Sequence, residues 1–515
     1  MRPLWDFPGG LTLSNHTTES TQRPVAEGPL PEQLIIPVQQ NLGDPPTVLV
    51  EPGEQVHIGT PLTEATCAHS ARVHASASGT IAAIEDRPVP HPSGLPARCV
   101  VITPDGQDTG VDPLPALPAA ELTASNLAER AAQCGVVGLG GATFPTDAKL
   151  TTGREQPLAS LIINGAECEP WISADEMLMR TRAERIISGA RLTAAALAPA
   201  ETVIAVEDDK VEAIAALTEA RDAAGAEAIE IVGVPARYPV GGERQLIQVL
   251  TGREVPSGDV PPSVGVVCLN VATVAALDDA ARRGQPVTRR YVTVTGDGVN
   301  EPQVIEARIG TPFRELIAQA GGYQPGVQRL VVGGPMMGFA VATDAVPVAK
   351  GTNCLLAGTA ALFPPPEPAL PCIRCSACSD ACPVSLLPQQ LYWHAQADNL
   401  EATEEHALFD CIECGICAEV CPSHIPLVDY FRYAKDAIRE RDEANRKAEI
   451  ARQRYEARQQ RLAREEADKR ARREAKKAAL NKGAGSRDER KQAVQDALAR
   501  ARQRRGGAND GDTED

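Results

Sequence analysis

The segment CIRCSACSDACP at residues 372–383 specifies how the carboxyl-terminal part of this chain folds, and it recurs as CIECGICAEVCP at residues 411–422. Both copies read C-x2-C-x2-C-x3-C-P, the ligand pattern of proteins with two [4Fe-4S] clusters, in which the fourth cysteine of each run binds the other run's cluster. The pattern therefore predicts two metal sites. One consists of Cys372, Cys375, Cys378 and Cys421, and the other of Cys411, Cys414, Cys417 and Cys382.

Zinc and disulfides are the alternatives for so many cysteines. Zinc ribbons use C-x2-C pairs, but the third cysteine and the trailing Cys-Pro have no role in a four-ligand zinc site. Disulfides are rare in a reducing cytosol. The six other cysteines stand singly in the sequence, as buried thiols usually do. The two runs thus favour a pair of iron-sulfur clusters that conducts electrons.

Length and hydropathy limit the class of protein. A chain of 515 residues is too long for one core and indicates about three or four domains. We find no run of about 18 apolar residues, as a membrane helix needs, and no basic and apolar signal peptide near Trp5. We therefore expect a soluble or peripheral protein on the cytoplasmic side.

Charge is divided unevenly along the sequence. The net charge is -17, yet residues 435–505 hold 24 Lys and Arg against 13 Asp and Glu, a surplus of +11. This segment is rich in Ala, Arg and Glu, and it predicts a long exposed helix or a partly disordered tail in 435–515. Ser486 and Glu489 form a capping-box pattern before a second basic helix. Such a tail suits contact with partners or anionic lipid, although a solvated tail without a partner remains an alternative.

Turn signals and apolar runs predict a multidomain α/β protein. Short β-like runs, including one at Arg72–His74, indicate a carrier-like β-sandwich that has no lysine for a swinging arm. Buried strand patterns alternating with helices, such as Val211–Ala223, indicate a three-layer α/β domain. The predicted divisions are a 1–33 segment, a 34–111 carrier-like domain, a 119–287 α/β domain, a 288–350 β-grasp domain, a 363–434 helical two-cluster domain and the 435–515 tail.

A glycine-rich loop follows the first predicted helix of the α/β domain. It reads GLGGATFPT at residues 138–146, with Lys149 shortly after. Glycines let backbone N–H groups approach a phosphate, although a glycine cluster alone is more often a turn. The loop is not a Rossmann fingerprint, because a helix precedes it and Thr143 stands where the third glycine belongs. Three more polar phrases occur at strand ends, where open α/β sheets bind ligands. They are NGAECEP at 164–170, GGER at 241–244 and NVAT at 270–273.

Taken together, these phrases resemble the RnfC family of the Rnf electron-transport complex over roughly residues 5–430. The middle of the chain looks like the FMN- and NADH-binding flavoprotein of respiratory complex I. The glycine loop of that flavoprotein reads G-R-G-G-A-G-F-P-T-G-x-K. Among the positions compared, this chain departs from it at Leu139 and Thr143. The other phrases N-A-D-E-S-E-P, G-E-E and N-N-V-E-T are matched in part. Their departures include Ala166, Arg244, Leu269 and Ala272.

The resemblance implies roles for particular residues. The flavin phosphate would be held by Gly138, Gly140, Gly141 and Lys149, and the ribityl chain or ring by Asn164, Asn270 and Thr273. Phe144 would flank the nucleotide, and Glu167 and Glu243 would be the catalytic pair that shapes the nicotinamide pocket. Glu169 and Gly242 belong to the same cofactor-binding phrases.

The resemblance also implies an activity. NADH would reduce FMN, and the electrons would cross two [4Fe-4S] clusters to membrane and iron-sulfur partners in one complex, with ferredoxin reached through those partners. The place implied is the cytoplasmic face of the bacterial inner membrane, with no nucleic acid as partner. Two other interpretations stay open. One is the diaphorase component of a soluble hydrogenase or formate dehydrogenase, and the other is an iron-sulfur docking module without flavin.

Overall fold

The computed structural model describes residues 2–43, 45–67, 70–152, 157–482 and 485–506. It divides into two units, residues 1–435 and 436–515. The first unit is a mixed α/β body that contains several sheets and the cysteine runs. None of the helices in the described ranges combines the length and the apolar character of a membrane span.

The amino-terminal part is built from antiparallel strands. Its main sheet has, in spatial order, the strands Leu34–Pro37, Pro96–Pro104, Gly79–Pro88 and Gln55–Val56, and a smaller pair joins Thr47–Val48 to Thr63–Glu64. The strand predicted at Arg72–His74 is wrong. His74 forms an isolated bridge with Pro61 instead of a strand, and its side chain is buried.

A four-stranded parallel sheet forms the centre of the α/β domain. Its strands lie in the order Ile229–Val234, Glu201–Glu207, Ser160–Gly165 and Val266–Asn270. Alternate strand residues face two separate cores, as expected for a sheet covered on both sides. The helix Glu243–Thr251 covers one face. The other face packs on the helices Ala124–Gln133, Ala183–Leu197, Val211–Ala223 and Val271–Arg283, and two further helices of the domain are Thr146–Thr152 and Ala174–Thr181.

A six-stranded mixed sheet follows in the chain. It pairs Ala26–Glu27, Gln303–Arg308, Arg289–Thr295, Cys354–Thr359, Val327–Val332 and Phe339–Val341 in that order, and the helix Phe313–Gln319 packs on it. Two strands lie outside the predicted 288–350 division. The first comes from the amino-terminal segment and pairs in parallel with Ile305 and Glu306. The other runs beside Arg289–Thr295 as a central strand.

The two cysteine runs and the segment between them contain short helices. These are Ala377–Asp380, Pro388–Gln396, Leu400–Glu405 and Ile416–Glu419. The charged tail is helical, with the helices Leu427–Lys482 and Arg487–Gly506. Ser486 N donates to Glu489 Oε2 at 2.7 Å and Glu489 N donates to Ser486 Oγ at 3.4 Å, so the predicted capping box is present.

Candidate flavin and iron-sulfur sites

The two cysteine runs contribute crosswise to two cavities. Among the residues lining a cavity of about 180 Å³ are Cys372, Cys375, Cys378 and Cys421. A much narrower cavity of about 20 Å³ is lined by Cys382 together with Cys411, Cys414 and Cys417. Each quartet takes three thiols from one run and the fourth from the other, which is the grouping that the sequence pattern predicts. The donor sets therefore have the composition that two cubane clusters require.

No group of three or more His, Cys, Asp or Glu side chains in the described parts of the chain is arranged to hold a single metal ion. A [4Fe-4S] cube has four irons, and each binds a different thiolate, so its ligands surround a space rather than a point. Burial raises the pKa of the Cys414 thiol to about 12, and it also raises the pKa of Cys411 and Cys417. The positive charge of a bound iron-sulfur cluster would favour the thiolate form of these buried groups.

The carboxyl edge of the parallel sheet gathers the polar residues of the predicted flavin site. Asn164 and Asn270 end neighbouring strands and are direct partners in the register. Asn164 Nδ2 donates to Gly241 O at 2.8 Å, and Asn270 Oδ1 caps the next helix by accepting from Ala272 N at 2.9 Å. Ligands of open α/β sheets bind at this edge.

Lys149 and Glu243 meet at the same edge. Lys149 Nζ donates to Glu243 Oε1 at 2.6 Å and to Cys268 O at 3.2 Å. Burial lowers the pKa of Lys149, but the Glu243 carboxylate outweighs it, and the net pKa is raised. The ammonium thus stays charged in a position where an anion could approach. The two side chains retain 32% and 36% of their exposure, so they are open to a ligand.

The glycine loop is held beside this edge by its second residue. Leu139 N donates to Thr273 Oγ1 at 2.9 Å, and Leu139 O accepts from Arg290 Nη2 at 3.2 Å. Gly140 and Gly141 are exposed. Gly141 has a φ of +112° and open space where a Cβ would point. A Cβ at Gly140 would lie 3.2 Å from Asn270 Nδ2, so glycine keeps the loop and the strand end close together.

Several predicted ligands have other partners in the structure. Thr273 is fully buried, and its hydroxyl accepts from Leu139 N and so holds the loop; a contact of Thr273 with the cofactor stays a prediction. Glu167 accepts from Asp175 N at 3.1 Å and Glu176 N at 3.2 Å, which places it at the start of the helix Ala174–Thr181. Burial, and next the Asp175 carboxylate, raise the pKa of Glu167 well above its ordinary value.

Glu169 and Gly242 also have structural partners. Glu169 Oε1 accepts from Met336 N at 2.7 Å and from Met337 N at 3.1 Å, which joins the α/β domain to the loop after Val327–Val332. Gly242 is the residue before the helix Glu243–Thr251. Gly138 N donates to Phe144 O at 2.8 Å, so these two predicted ligands close the glycine loop on each other.

Sequence reasoning missed residues that connect the two kinds of site. Tyr238 OH donates to Cys414 O at 2.7 Å, and Gln245 Nε2 donates to Pro383 O at 3.3 Å. Asp175 and Arg290 lie next to the glycine loop and Asn270; Asn270 Nδ2 donates to Asp175 Oδ2 at 2.5 Å. Burial raises the pKa of Asp175 to about 6. None of these four residues belongs to a phrase that the sequence analysis singled out, although Tyr238 and Gln245 lie on either side of GGER at 241–244.

Comparison with known proteins agrees with this division of sites. Family models match residues 5–107 (RnfC Barrel sandwich hybrid domain), 131–279 (Nuo51 FMN-binding domain), 291–340 (SLBB domain) and 368–425 (4Fe-4S dicluster domain). A protein of Serratia proteamaculans, named as a subunit of an ion-translocating oxidoreductase complex, is 46% identical over 97% of this chain and 70% of its own length. The chain belongs to the RnfC family of these subunits.

Other members of the family are longer than this chain. The Pseudomonas aeruginosa protein of the same name is 48% identical over 90% of this chain and 60% of its own length. The chain thus spans between half and two thirds of that relative and of the Pasteurella multocida protein. A crystal structure of an NAD+-reducing [NiFe]-hydrogenase in the H2-reduced state aligns with a TM-score of 0.45 and 21% identity, over 63% of this chain and 64% of the hydrogenase chain. The FMN-binding and dicluster family models confirm the predicted flavin and iron-sulfur cofactors.

Proposed function

We propose that this chain is the electron-input subunit of an ion-translocating oxidoreductase complex. It would take electrons from NADH at a flavin site and deliver them over two [4Fe-4S] clusters to membrane and iron-sulfur partners, or reversibly from ferredoxin to NAD. Its place would be the cytoplasmic face of the inner membrane, as a peripheral subunit. Family membership favours this interpretation over the diaphorase of a hydrogenase or formate dehydrogenase and over a docking module without flavin.

One observation carries the proposal. The edge that gathers Lys149, Asn164 and Asn270 belongs to the same domain whose Tyr238 bonds to the backbone of Cys414. The proposed flavin site and one proposed cluster site therefore both contact the α/β domain, which is built on one parallel sheet. Rigid elements hold reacting groups in a fixed geometry better than loops do.

Different residues would bind different parts of FMN. Exposed backbone at Gly140 and Gly141, with the Lys149 ammonium, would hold the FMN phosphate, while Asn164 and Asn270 would bond the ribityl chain or ring. When bound, FMN supplies hydride acceptance and release of single electrons. Glu243 holds Lys149 in place. Glu167 would shape the nicotinamide side through the helix start that it caps.

Gly140→Val tests the flavin site. The added side chain would press on Asn270 and occupy the space where backbone approaches phosphate, so we expect the purified protein to lose its non-covalent FMN. Gly110→Val is a matched control, because its φ, like that of Gly140, lies outside the left-handed region and a Cβ there would meet Ile58 O only at 3.8 Å. The measurements are flavin content and bleaching of flavin absorbance by NADH. Flavin retained at the wild-type level in Gly140→Val would refute the placement.

Cys382→Ser tests the crossed ligand sets. We expect anaerobically purified wild type to hold about eight irons, and the variant to lose the cluster that Cys411, Cys414 and Cys417 would bind. Cys421→Ser is the counterpart and should damage the other cluster. Iron and sulfide analysis with electron paramagnetic resonance of the reduced protein distinguishes them. Loss of the cluster nearest in sequence to each substitution would exclude the crossed assignment.

A further inference from the structure

The first residues of the chain run along the α/β domain. We call residues 5–15 the N-terminal strap. Trp5 N donates to Val249 O at 3.0 Å, and the buried Phe7 packs in the core under the helix Glu243–Thr251. Arg237 Nη2 donates to Asp6 Oδ1 and Phe7 O, both at 2.6 Å. The strap is therefore fixed to the flavin-type domain by backbone bonds, apolar burial and charge.

The middle of the strap touches the first cysteine run. Gly10 N donates to Ala381 O at 3.0 Å. Gly9 has a φ of +59°, and a Cβ there would lie 2.3 Å from Ala381 O and 2.8 Å from the carbonyl carbon of Cys382. No side chain fits at this distance from backbone atoms. The strap thus lies directly against the residue that the sequence pattern assigns to the second cluster.

The end of the strap reaches the second cysteine run through Tyr238. Leu11 N donates to Tyr238 O at 2.9 Å, and Tyr238 N donates to Leu11 O at 2.8 Å. The Tyr238 ring is 3% exposed, and its hydroxyl donates to Cys414 O at 2.7 Å. Leu11 and Leu13 pack against the buried group of Tyr238, Cys414 and Ile416. The strap and Tyr238 therefore contact both cysteine runs beside ligands of one proposed cluster.

We propose that the N-terminal strap and Tyr238 form a clamp that positions the site of Cys382, Cys411, Cys414 and Cys417 against the flavin-type domain. The inference deepens the proposed function and rests on it. The described strap contacts with the cysteine runs fall at residues 381–382 and 414–416, within this one quartet. The described linings of both cysteine cavities contain neither a strap residue nor Tyr238, so the strap and Tyr238 act on this quartet through backbone atoms.

The clamp acts by holding ligands from two runs in one geometry. Groups that bond to metal ligands orient them, and their loss commonly weakens metal affinity by about 10- to 100-fold. The strap and Tyr238 bond to the backbone of ligands and their neighbours, so their effect should be confined to one cluster. Tyr238 is a positioning residue here, since it touches backbone and not sulfur.

Gly9→Val is the principal test. We expect iron to fall from about eight to about four per chain, with loss of one paramagnetic signal and unchanged flavin content. Anaerobic alkylation followed by peptide mapping should label Cys382, Cys411, Cys414 and Cys417 and spare the other quartet. Gly94→Val is the matched control, because Gly94 has a similar φ of +65° but open space around its Cβ direction. It shares the backbone strain without the collision.

Tyr238→Phe is a milder second test, because it keeps the ring and removes the hydroxyl, which donates to Cys414 O and also contacts the Glu169 carboxyl. We expect a chelator to extract iron from this site about tenfold faster than in wild type, at an unchanged rate from the other site. Equal loss of both clusters, or wild-type extraction in both variants, would overturn the clamp. If wild type itself held no iron, the proposed function would fail. The clamp would then be tested by alkylation rates in the iron-free proteins, since Gly9→Val should raise the rates of Cys382, Cys411, Cys414 and Cys417 over wild type and leave those of the other quartet unchanged, and equal rates in the two proteins would overturn it.

Discussion

At the residue scale, one peptide unit of the glycine loop is fixed from both sides. Thr273 accepts from Leu139 N, and Arg290 donates to Leu139 O, so two distant elements set the direction of the loop. Thr143, which departs from the complex I phrase, has a φ of +49°. A β-branched residue is uncommon in this left-handed region, which explains why a glycine suits the position better. The loop is preorganised by contacts rather than by its own sequence.

Thr273→Val should weaken flavin binding without removing the site. The substitution is nearly isosteric, but it leaves Leu139 N buried without its acceptor, at a cost of about 1–3 kcal/mol. If the lost bond mainly destabilises the loop conformation that binds FMN, the Kd for FMN rises about tenfold. Quenching of flavin fluorescence on binding measures this Kd. Thr273→Ser keeps the hydroxyl and should bind as wild type does, and an unchanged Kd in Thr273→Val would contradict the role.

At the element scale, one buried lysine joins three parts of the fold. Lys350 Nζ donates to Arg72 O at 2.6 Å and to Gly135 O at 2.7 Å, and Lys350 N donates to Gln40 Oε1 at 2.9 Å. Its side chain is fully buried, and burial lowers its pKa to about 7. A neutral amine has two N–H groups, which the two carbonyls satisfy. Gly135, with a φ of +63°, ends the helix Ala124–Gln133 and lets this lysine approach.

This lysine predicts a pH dependence of stability. Its native pKa of about 7 lies below the ordinary value of 10.5, so between these values the unfolded chain binds more protons. The free energy of unfolding should therefore rise with pH across this interval and lose this contribution as pH falls towards 7. Lys350→Met removes the titration. We expect the wild-type Tm minus the variant Tm to increase between about pH 7 and pH 9.5, and a constant difference would contradict it.

At the scale of the whole molecule, the acidic body and the basic tail differ in character. Residues 1–435 and 436–515 are separate units, and nearly all described side chains beyond Asp442 are exposed. Val494 and Leu498 are 59% and 55% exposed, so the second tail helix presents apolar groups among its charges. An exposed basic helix of this kind suits attachment to anionic partners or lipid, with attraction screened over about 8–10 Å at physiological salt.

Truncation after Asp442 tests the tail. This end point keeps the buried Ile438 and also Lys435, whose Nζ donates to Cys411 O at 2.7 Å. We expect flavin content, iron content and NADH reduction of the chain to stay at wild-type levels. Binding to membranes that contain the partner subunits should become weaker and less dependent on salt in a sedimentation assay, because the charges that salt screens are removed. Loss of clusters or of NADH reduction would show that the tail is structural.

Much of the local structure follows from the sequence. The helix Val211–Ala223 has the predicted bounds, and the strand Glu201–Glu207 encloses the apolar run 203–206, which predicts a buried strand. Apolar period and turn residues act within a few positions, so they are readable without a fold. The strand Ala26–Glu27 cannot be predicted from the sequence, because two residues in a polar segment show no alternation of apolar and polar side chains. Its pairing depends on the distant Ile305 and Glu306.

Short-range patterns specify the chemistry of this protein. Cysteine spacing indicates two iron-sulfur sites, and the glycine loop with its companion phrases indicates a flavin domain, because ligand spacing and close backbone approach are local requirements. The residues that hold those sites in place emerge from the folded chain alone. Arg290 reaches Leu139 across 151 positions and Tyr238 reaches Cys414 across 176. Such bonds depend on how the domains pack against each other, and no short-range pattern records them.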